Sequence, residues 1–290
     1  MSTVAATILL ISKQFAIYTY FFILIGGLIG NFCNVLVFTY VKVFRHHQCA
    51  FYLVVGSIID YGLLLTGLPF RLTELAFSYD TTRQSVIWCK LRPMMNHTMA
   101  LISFSIICFA AIDQYLSTNH QHRLKQMSTL KLAYRLVFSS IIIWTFYDCI
   151  FFYYFDLRAT SGCTISDPGF SIYYSFGHYI TLNGIIPLCV SSLFSILAYL
   201  NVRRIVQLRI PIFRRKLDKQ LTALVLAKVV FVVVTISPSI IFRIYILNVT
   251  VSPTDFNRIA IHQFLSNIAF ALFYINSAVR WRFFCYCNIK

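Results

Sequence analysis

The sequence predicts an all-α membrane protein, a seven-transmembrane helix bundle with its N-terminus outside. Of the 290 residues, 59% are hydrophobic and only 12% are charged, whereas soluble domains carry about 25% charged residues. The apolar residues form seven runs, each long enough to cross a bilayer core of about 30 Å. Most lysines and arginines follow the odd-numbered runs, and this bias sets the orientation.

The seven predicted spans are joined by short connections. They cover roughly 15–41, 50–77, 86–118, 132–155, 174–206, 218–247 and 257–280. The chain therefore divides into a short extracellular N-terminus (1–14), a seven-transmembrane domain (15–280) and a short cytoplasmic tail (281–290). Basic residues are densest in the fifth loop, which is predicted to be cytoplasmic. The net charge of +16 indicates contact with anionic membrane lipid rather than with nucleic acid.

The first two spans each carry unusual polar residues. Span one contains Gly30-Asn31, and span two contains Asp60. A carboxylate in the bilayer costs about 3 kcal/mol by insertion scales, so Asp60 is predicted to be paired, hydrated or protonated.

Span three organises the predicted bundle. It begins at Cys89 and ends in Asp113-Gln114-Tyr115, with almost no charge between. Asn96 and Ser103 are seven residues apart, which places them on one helix face. That polar stripe is predicted to face the protein interior rather than lipid.

The remaining spans carry a tryptophan, two prolines and a lysine. Span four contains Trp144, span five contains Pro187, and span six contains Lys228 and Pro238. A proline inside a transmembrane helix frees a carbonyl group and bends the helix. Bends in spans five and six suit a bundle that opens at one end and rearranges at the other.

Taken in order, these residues resemble the rhodopsin-like (class A) G-protein-coupled receptors, in particular the divergent invertebrate peptide or chemosensory receptors. The resemblance covers nearly the whole chain. It rests on Gly30-Asn31, Val35, Ser57, Asp60, Trp88-Cys89, Ser103, Asp113, Tyr115, Trp144, Cys163, Pro187 and Pro238.

The sequence departs from that family's pattern at three places. Gln114 stands where the family has arginine between the acid and the tyrosine, and Ile236-Ser237 precede Pro238 without the usual tryptophan. The seventh span offers Asn276-Ser277-Ala278-Val279 and then passes directly to basic and aromatic residues, so its end is shortened.

The resemblance implies a disulfide between Cys89 and Cys163. It also implies a hydrated pocket of Asp60, Ser103 and Asn276 that holds sodium. The alternative for Asp60 is a protonated acid bonded to Asn31 or Ser57.

Three further sites are functional candidates. Asn96 is either a polar contact at the floor of an outward-facing ligand pocket or an interhelical hydrogen bond, and the lack of an aspartate at this depth argues against an amine ligand. Asn248 begins a candidate glycosylation sequon, Asn248-Val249-Thr250, near the last outer loop. Cys285 and Cys287 are either palmitoylated or free thiols beside the membrane.

Lys228 is expected to reach the cytoplasmic interface or to pair within the bundle. No retinal cofactor is predicted, because the opsin pattern needs a lysine in span seven and 257–280 contains none.

The sequence thus predicts a multi-pass plasma-membrane receptor that binds an extracellular peptide or chemosensory cue and activates a heterotrimeric G protein. Asp113, Gln114 and Tyr115 would form the G-protein face, with Gln114 weakening the coupling. The alternatives are a non-signalling or decoy receptor and, with less support, a transporter or channel. No motif for catalysis is present, so the protein is not predicted to be an enzyme.

Overall fold

The protein is described by a computed structural model over seven long helices and one hairpin. It covers residues 3–40, 48–158, 162–205, 212–249, 252 and 255–279, without the side chains of 81, 204, 205 and 212–221. The helices are Thr3–Tyr40, Gln48–Phe77, Val86–Thr118, Leu130–Tyr154, a continuous helical stretch Pro168–Tyr173, Tyr174–Ile185 and Ile186–Ile205, then Ile212–Asn248 and Phe256–Ala278. An additional short helix, His122–Met127, lies between spans three and four.

All seven spans are long and apolar enough to cross a membrane, which identifies a multi-pass membrane protein compatible with the predicted bundle. Span one begins at Thr3, well before the predicted start at residue 15. The other predicted spans are found within a few residues of their expected ends, except that the helical stretch of span five starts at Pro168 and the helix of span six at Ile212.

Span three lies at the centre of the bundle. It packs against spans two, four, five and six, while span one packs against spans two and seven. Residues 100–104 of span three are all buried. A helix buried on nearly every side needs few charges, as the sequence of this one shows.

Side-chain caps mark where four of the helices begin. Backbone N–H groups of the first turn have no partner within the helix, so a Ser, Thr or Asp oxygen at the preceding position accepts one of them. The capping residues are Ser85 before span three, Thr129 before span four, Asp167 before span five and Asp255 before span seven.

Span five changes its helix type in the middle. Tyr174–Ile185 is a π-helix, and the chain returns to α-helix at Ile186, one residue before Pro187. Proline has no N–H, and its ring crowds the carbonyl four residues earlier. The change of helix type therefore lies next to Pro187, where the sequence predicts a bend. Pro238 lies inside the helix of span six, and Pro69 and Pro93, which were not predicted as bends, lie inside spans two and three.

A β-hairpin closes one end of the bundle. Strand β1 (Phe155–Arg158) pairs antiparallel with strand β2 (Gly162–Ile165). Cys163 of β2 is disulfide-bonded to Cys89, with their Cα atoms 5.5 Å apart. The implied disulfide is therefore present, and it ties the hairpin to the start of span three. We call this the hairpin end of the bundle, and the end that carries Gln114 the opposite end.

Candidate functional site

A cavity of about 250 Å³ lies beneath the hairpin. Span three contributes Arg92, Pro93, Asn96, His97 and Ala100 to its wall, a set spaced along one helix face. The rest of the wall is mostly aromatic and comes from the hairpin and from spans five and seven: Phe155, Cys163, Tyr174, Tyr179, Asn183, Phe270, Phe273 and Tyr274, with Leu63 and Thr82. A concave, largely aromatic site with a few polar groups is the usual form of a small-ligand pocket.

Asn96 lies in this wall and also forms an interhelical bond. The Thr66 hydroxyl of span two donates to Asn96 Oδ1 at 3.2 Å, and Asn96 Nδ2 donates to the Thr66 carbonyl at 3.4 Å. The interhelical hydrogen bond is therefore present, and the same side chain borders the cavity; its contact with a ligand stays a prediction.

The cavity wall carries a positive charge and no acid. Arg92 is its one charged lining residue among those that the structure describes, and its guanidinium carbon lies 5.4 Å from the centroid of the Phe70 ring. Behind the aromatic wall, Arg243 lies over the rings of Tyr174 and Tyr179, at 6.0 and 5.3 Å, and donates to Ser175 Oγ at 3.1 Å.

The nearby acids of the hairpin end are held by other arginines. Glu74 pairs with Arg71 at 2.8 Å, and Asp80 pairs with Arg83 at 3.3 Å. Partial burial raises the pKa of Asp80, but hydrogen bonds from Thr82 and the charges of Arg83 and Arg92 outweigh it, so this pKa lies below its ordinary value. Asp80 is therefore a carboxylate at neutral pH, and its salt-bridge partner is Arg83.

A second polar cluster is sealed between spans three, four and five. Asp148 and His178 are fully buried, and neither the Asp148 oxygens nor the His178 ring nitrogens have a hydrogen-bond partner among the described residues. The His97 ring lies 4.7 Å from that of His178, and its Nε2 is 3.0 Å from the Tyr174 hydroxyl. This cluster adjoins the cavity through His97 and Tyr174.

The predicted ion pocket is only partly assembled. Ser103 Oγ donates to Asp60 Oδ1 at 2.5 Å, and both residues are buried. Asn31 donates instead to the carbonyls of Gly27 and Ser277, at 2.9 Å each. The hydroxyl of Ser57 accepts from Asn34 at 3.5 Å. The structure thus joins Asp60 to Ser103, as the resemblance implies, and gives Asn31 and Ser57 other partners.

Asn276 is bound by Lys228. The Lys228 ammonium donates to the Asn276 carbonyl at 2.5 Å and to its Oδ1 at 2.9 Å, and both residues are buried. Of the two fates expected for Lys228, the structure shows pairing within the bundle. The side-chain oxygen that the sodium pocket would use is therefore occupied by a lysine cation.

The residues expected to form the G-protein face lie at the opposite end of the bundle, and their contacts described below are with uncharged side chains. Gln114 Nε2 donates to Thr222 Oγ1 of span six at 2.6 Å. Asp113 Oδ1 accepts from Ser128 Oγ at 2.7 Å. The Tyr115 ring lies 5.6 Å from that of Phe194 in span five. Gln114 thus links spans three and six without an ion pair.

Two predicted modification sites remain predictions. Asn248 is the last residue of the span-six helix; it is exposed, and its Nδ2 donates to the Ile244 carbonyl at 2.8 Å. Cys285 and Cys287 lie outside the described residues.

Four functional candidates were not predicted from the sequence: Arg92, Thr222, Asp148 and His178. Arg92 lies in the first turns of span three, where a basic residue near a membrane boundary is common and carries no specific signal. Thr222 carries no signal in the sequence, because a hydroxyl in a helix is common. Asp148 is an intramembrane acid, and that alone is a signal for function.

No protein-family model matches the chain, and no curated protein matches it.

Proposed function

We propose that the protein is a rhodopsin-like seven-helix receptor of the plasma membrane that activates a heterotrimeric G protein. The hairpin end faces outside and the extracellular ligand enters the cavity beneath the hairpin. The observation that carries this proposal is that cavity, roofed by a hairpin that a disulfide ties to the central helix. A disulfide forms and persists in an oxidising compartment, and this supports the same orientation as the basic loops do.

In this proposal the Gln114–Thr222 hydrogen bond holds span six against span three at rest. A ligand in the cavity contacts spans three, five and seven, and these spans continue to the opposite end of the bundle. A neutral hydrogen bond contributes about 0.5–1.5 kcal/mol, less than a charge-assisted one. Measurable signalling without ligand is expected, and loss of this one bond should raise it severalfold.

The proposal includes a smaller ion pocket than the sequence predicts. Asp60 and Ser103 would hold sodium, while the Lys228 ammonium takes the place of a cation at Asn276. The test is the sodium dependence of ligand affinity in the wild type and in Asp60→Asn. If sodium has no effect on the wild type, no sodium site operates here.

The experiment for the receptor function needs no known ligand. The purified protein is reconstituted in lipid nanodiscs with heterotrimers of each main Gα class, and nucleotide exchange is measured against empty nanodiscs. Exchange above the empty-disc rate, increased severalfold by Thr222→Val, supports the proposal. Ser191→Ala is the matched control, because its hydroxyl bonds within its own helix, to the Pro187 carbonyl at 2.5 Å.

A second candidate is a decoy receptor that binds ligand without signalling. It is favoured by one observation: at the place of the resembled family's arginine, Gln114 has no charge to offer a partner. The decoy predicts that no heterotrimer exchanges nucleotide above the empty-disc rate, either with the wild type or with Thr222→Val. A transporter or channel has no such specific support.

A further inference from the structure

We infer that the cavity beneath the hairpin selects an anionic ligand, a carboxylate carried on an aromatic or apolar body, and that Arg92 is the residue that binds the carboxylate. This inference rests on the proposed ligand-binding function and adds the chemical class of the ligand.

The first step is the charge balance of the cavity wall. Its described lining residues include one arginine and no aspartate or glutamate. Arg92 forms no ion pair with any described carboxylate, since the described ion pairs of this end use Arg71 and Arg83. Glu74 and Asp80 lie outside the cavity wall but near enough to act on the charge of Arg92, and each is paired with another arginine. A cation on a low-dielectric cavity wall that carries no acid of its own attracts an anionic group strongly.

The second step is the geometry of Arg92. The guanidinium lies over the Phe70 ring, a cation–π contact that restricts the side chain without using its N–H donors. A guanidinium presents those donors in a planar fork that matches the two oxygens of a carboxylate. The arginine is therefore held in position with its donors available to the cavity.

The third step is the remainder of the wall. Tyr179, Phe270 and Tyr274 offer ring surface, and Asn183 presents a buried side-chain oxygen with no hydrogen-bond partner among the described residues. Such a wall suits an aromatic or apolar body with one hydrogen-bond donor. Arg243 lies behind Tyr174 and Tyr179 and adds positive potential without reaching the ligand directly.

The cavity volume of about 250 Å³ limits what fits. Drug-sized ligands occupy pockets of about 300–1,000 Å³. The occupant is therefore either a small organic acid or the C-terminal residue of a peptide, whose terminal carboxylate has the same chemistry.

The experiment measures binding directly on the full-length protein in nanodiscs. The probes are 3-phenylpropionate, indole-3-propionate and 4-phenylbutyrate, each paired with its neutral primary amide. A tripeptide ending in phenylalanine is tested with a free and with an amidated C-terminus, to distinguish a peptide source from a free acid. Binding is read from ligand-induced thermal stabilisation over a concentration series.

Three variants sharpen the test. Arg92→Gln removes the charge, Arg92→Lys keeps it, and Lys90→Gln is the matched control, because Lys90 is on the same helix, lies over the Phe152 ring and does not line the cavity. We expect at least one acid to bind better than its amide, and Arg92→Gln to weaken that acid roughly tenfold to a hundredfold, the loss of one charge-assisted hydrogen bond. The amides and Lys90→Gln should show no such change. Arg92→Lys should retain the preference for the acid, which also shows that position 92 tolerates substitution.

The inference is overturned if no acid binds better than its amide in the wild type, or if Arg92→Gln and Lys90→Gln weaken the acids equally. These outcomes are separate from those of the receptor proposal. Acid binding that depends on Arg92 without any nucleotide exchange supports this inference and refutes signalling. Exchange without a preference for acids refutes this inference alone.

Discussion

Lys228 and Asn276 form a buried link between spans six and seven, and the cost of breaking it should depend on which partner is removed. Asn276→Leu leaves the ammonium buried and takes away the side-chain oxygen at 2.9 Å, while the carbonyl at 2.5 Å remains. Lys228→Met removes the charge itself and fills a similar volume. The two substitutions therefore test whether the buried cation needs the asparagine.

The expected magnitudes follow from the two hydrogen bonds. A hydrogen bond to a charged group contributes about 1.5–3 kcal/mol, and this is the expected cost of Asn276→Leu. Lys228→Met loses both bonds but also removes the desolvation cost of an ammonium, so its net cost is about 0–1 kcal/mol. Without the ammonium the asparagine loses its role. The double variant should therefore resemble Lys228→Met, with a coupling free energy of about 1.5–3 kcal/mol.

The assay is reversible unfolding by sodium dodecyl sulfate in mixed micelles, analysed as a double-mutant cycle. Thr235→Val combined with Asn276→Leu is the control pair, because the Thr235 hydroxyl bonds to the Phe231 carbonyl of its own helix at 2.8 Å. The control costs should add. If the costs of Lys228→Met and Asn276→Leu also add within about 0.5 kcal/mol, the link does not stabilise the bundle.

Three other predictions concern the opposite end, the buried acid and the hairpin end. Gln114→Arg should raise ligand-stimulated nucleotide exchange severalfold at equal expression, since under the proposed function an arginine would give the G protein a charged contact; an arginine variant that is no faster would show that Gln114 does not limit coupling. Asp148→Leu should raise the thermal unfolding midpoint by roughly 2–4 °C, because it replaces a buried carboxyl group that has no hydrogen-bond partner among the described residues by an apolar side chain of similar size; a lower midpoint would reveal a partner that the carboxyl group needs. Asp80 has a lowered pKa in the folded protein, so its stabilising effect is complete above its ordinary pKa of about 3.9 and is lost as the pH falls from there through the lower pKa of the folded state. The thermal midpoints of the wild type and of Asp80→Asn should therefore converge as the pH falls below about 3.9. Midpoint curves that stay parallel would contradict this.

The sequence by itself determined the number and approximate position of the spans. Hydropathy is a local property, and the bilayer thickness sets the length that each apolar run must have. The same local reasoning placed Asn96 and Ser103 on one face of span three, and the structure confirms it, since both bond to span two. The Cys89–Cys163 pairing needed the family resemblance, because each cysteine lies in a different part of the chain.

Only the tertiary structure decided which polar side chains meet. Lys228 and Asn276 are 48 residues apart, and Gln114 and Thr222 are 108 apart. Contacts at such separations depend on how each helix is rotated about its axis and how far it is shifted along it. Neither quantity is encoded in hydropathy, because packing between helices in a membrane depends on fine side-chain fit rather than on apolarity. For the same reason the sequence places Arg92 near the start of span three without showing which way it faces, and only the packed bundle shows that it lines the cavity.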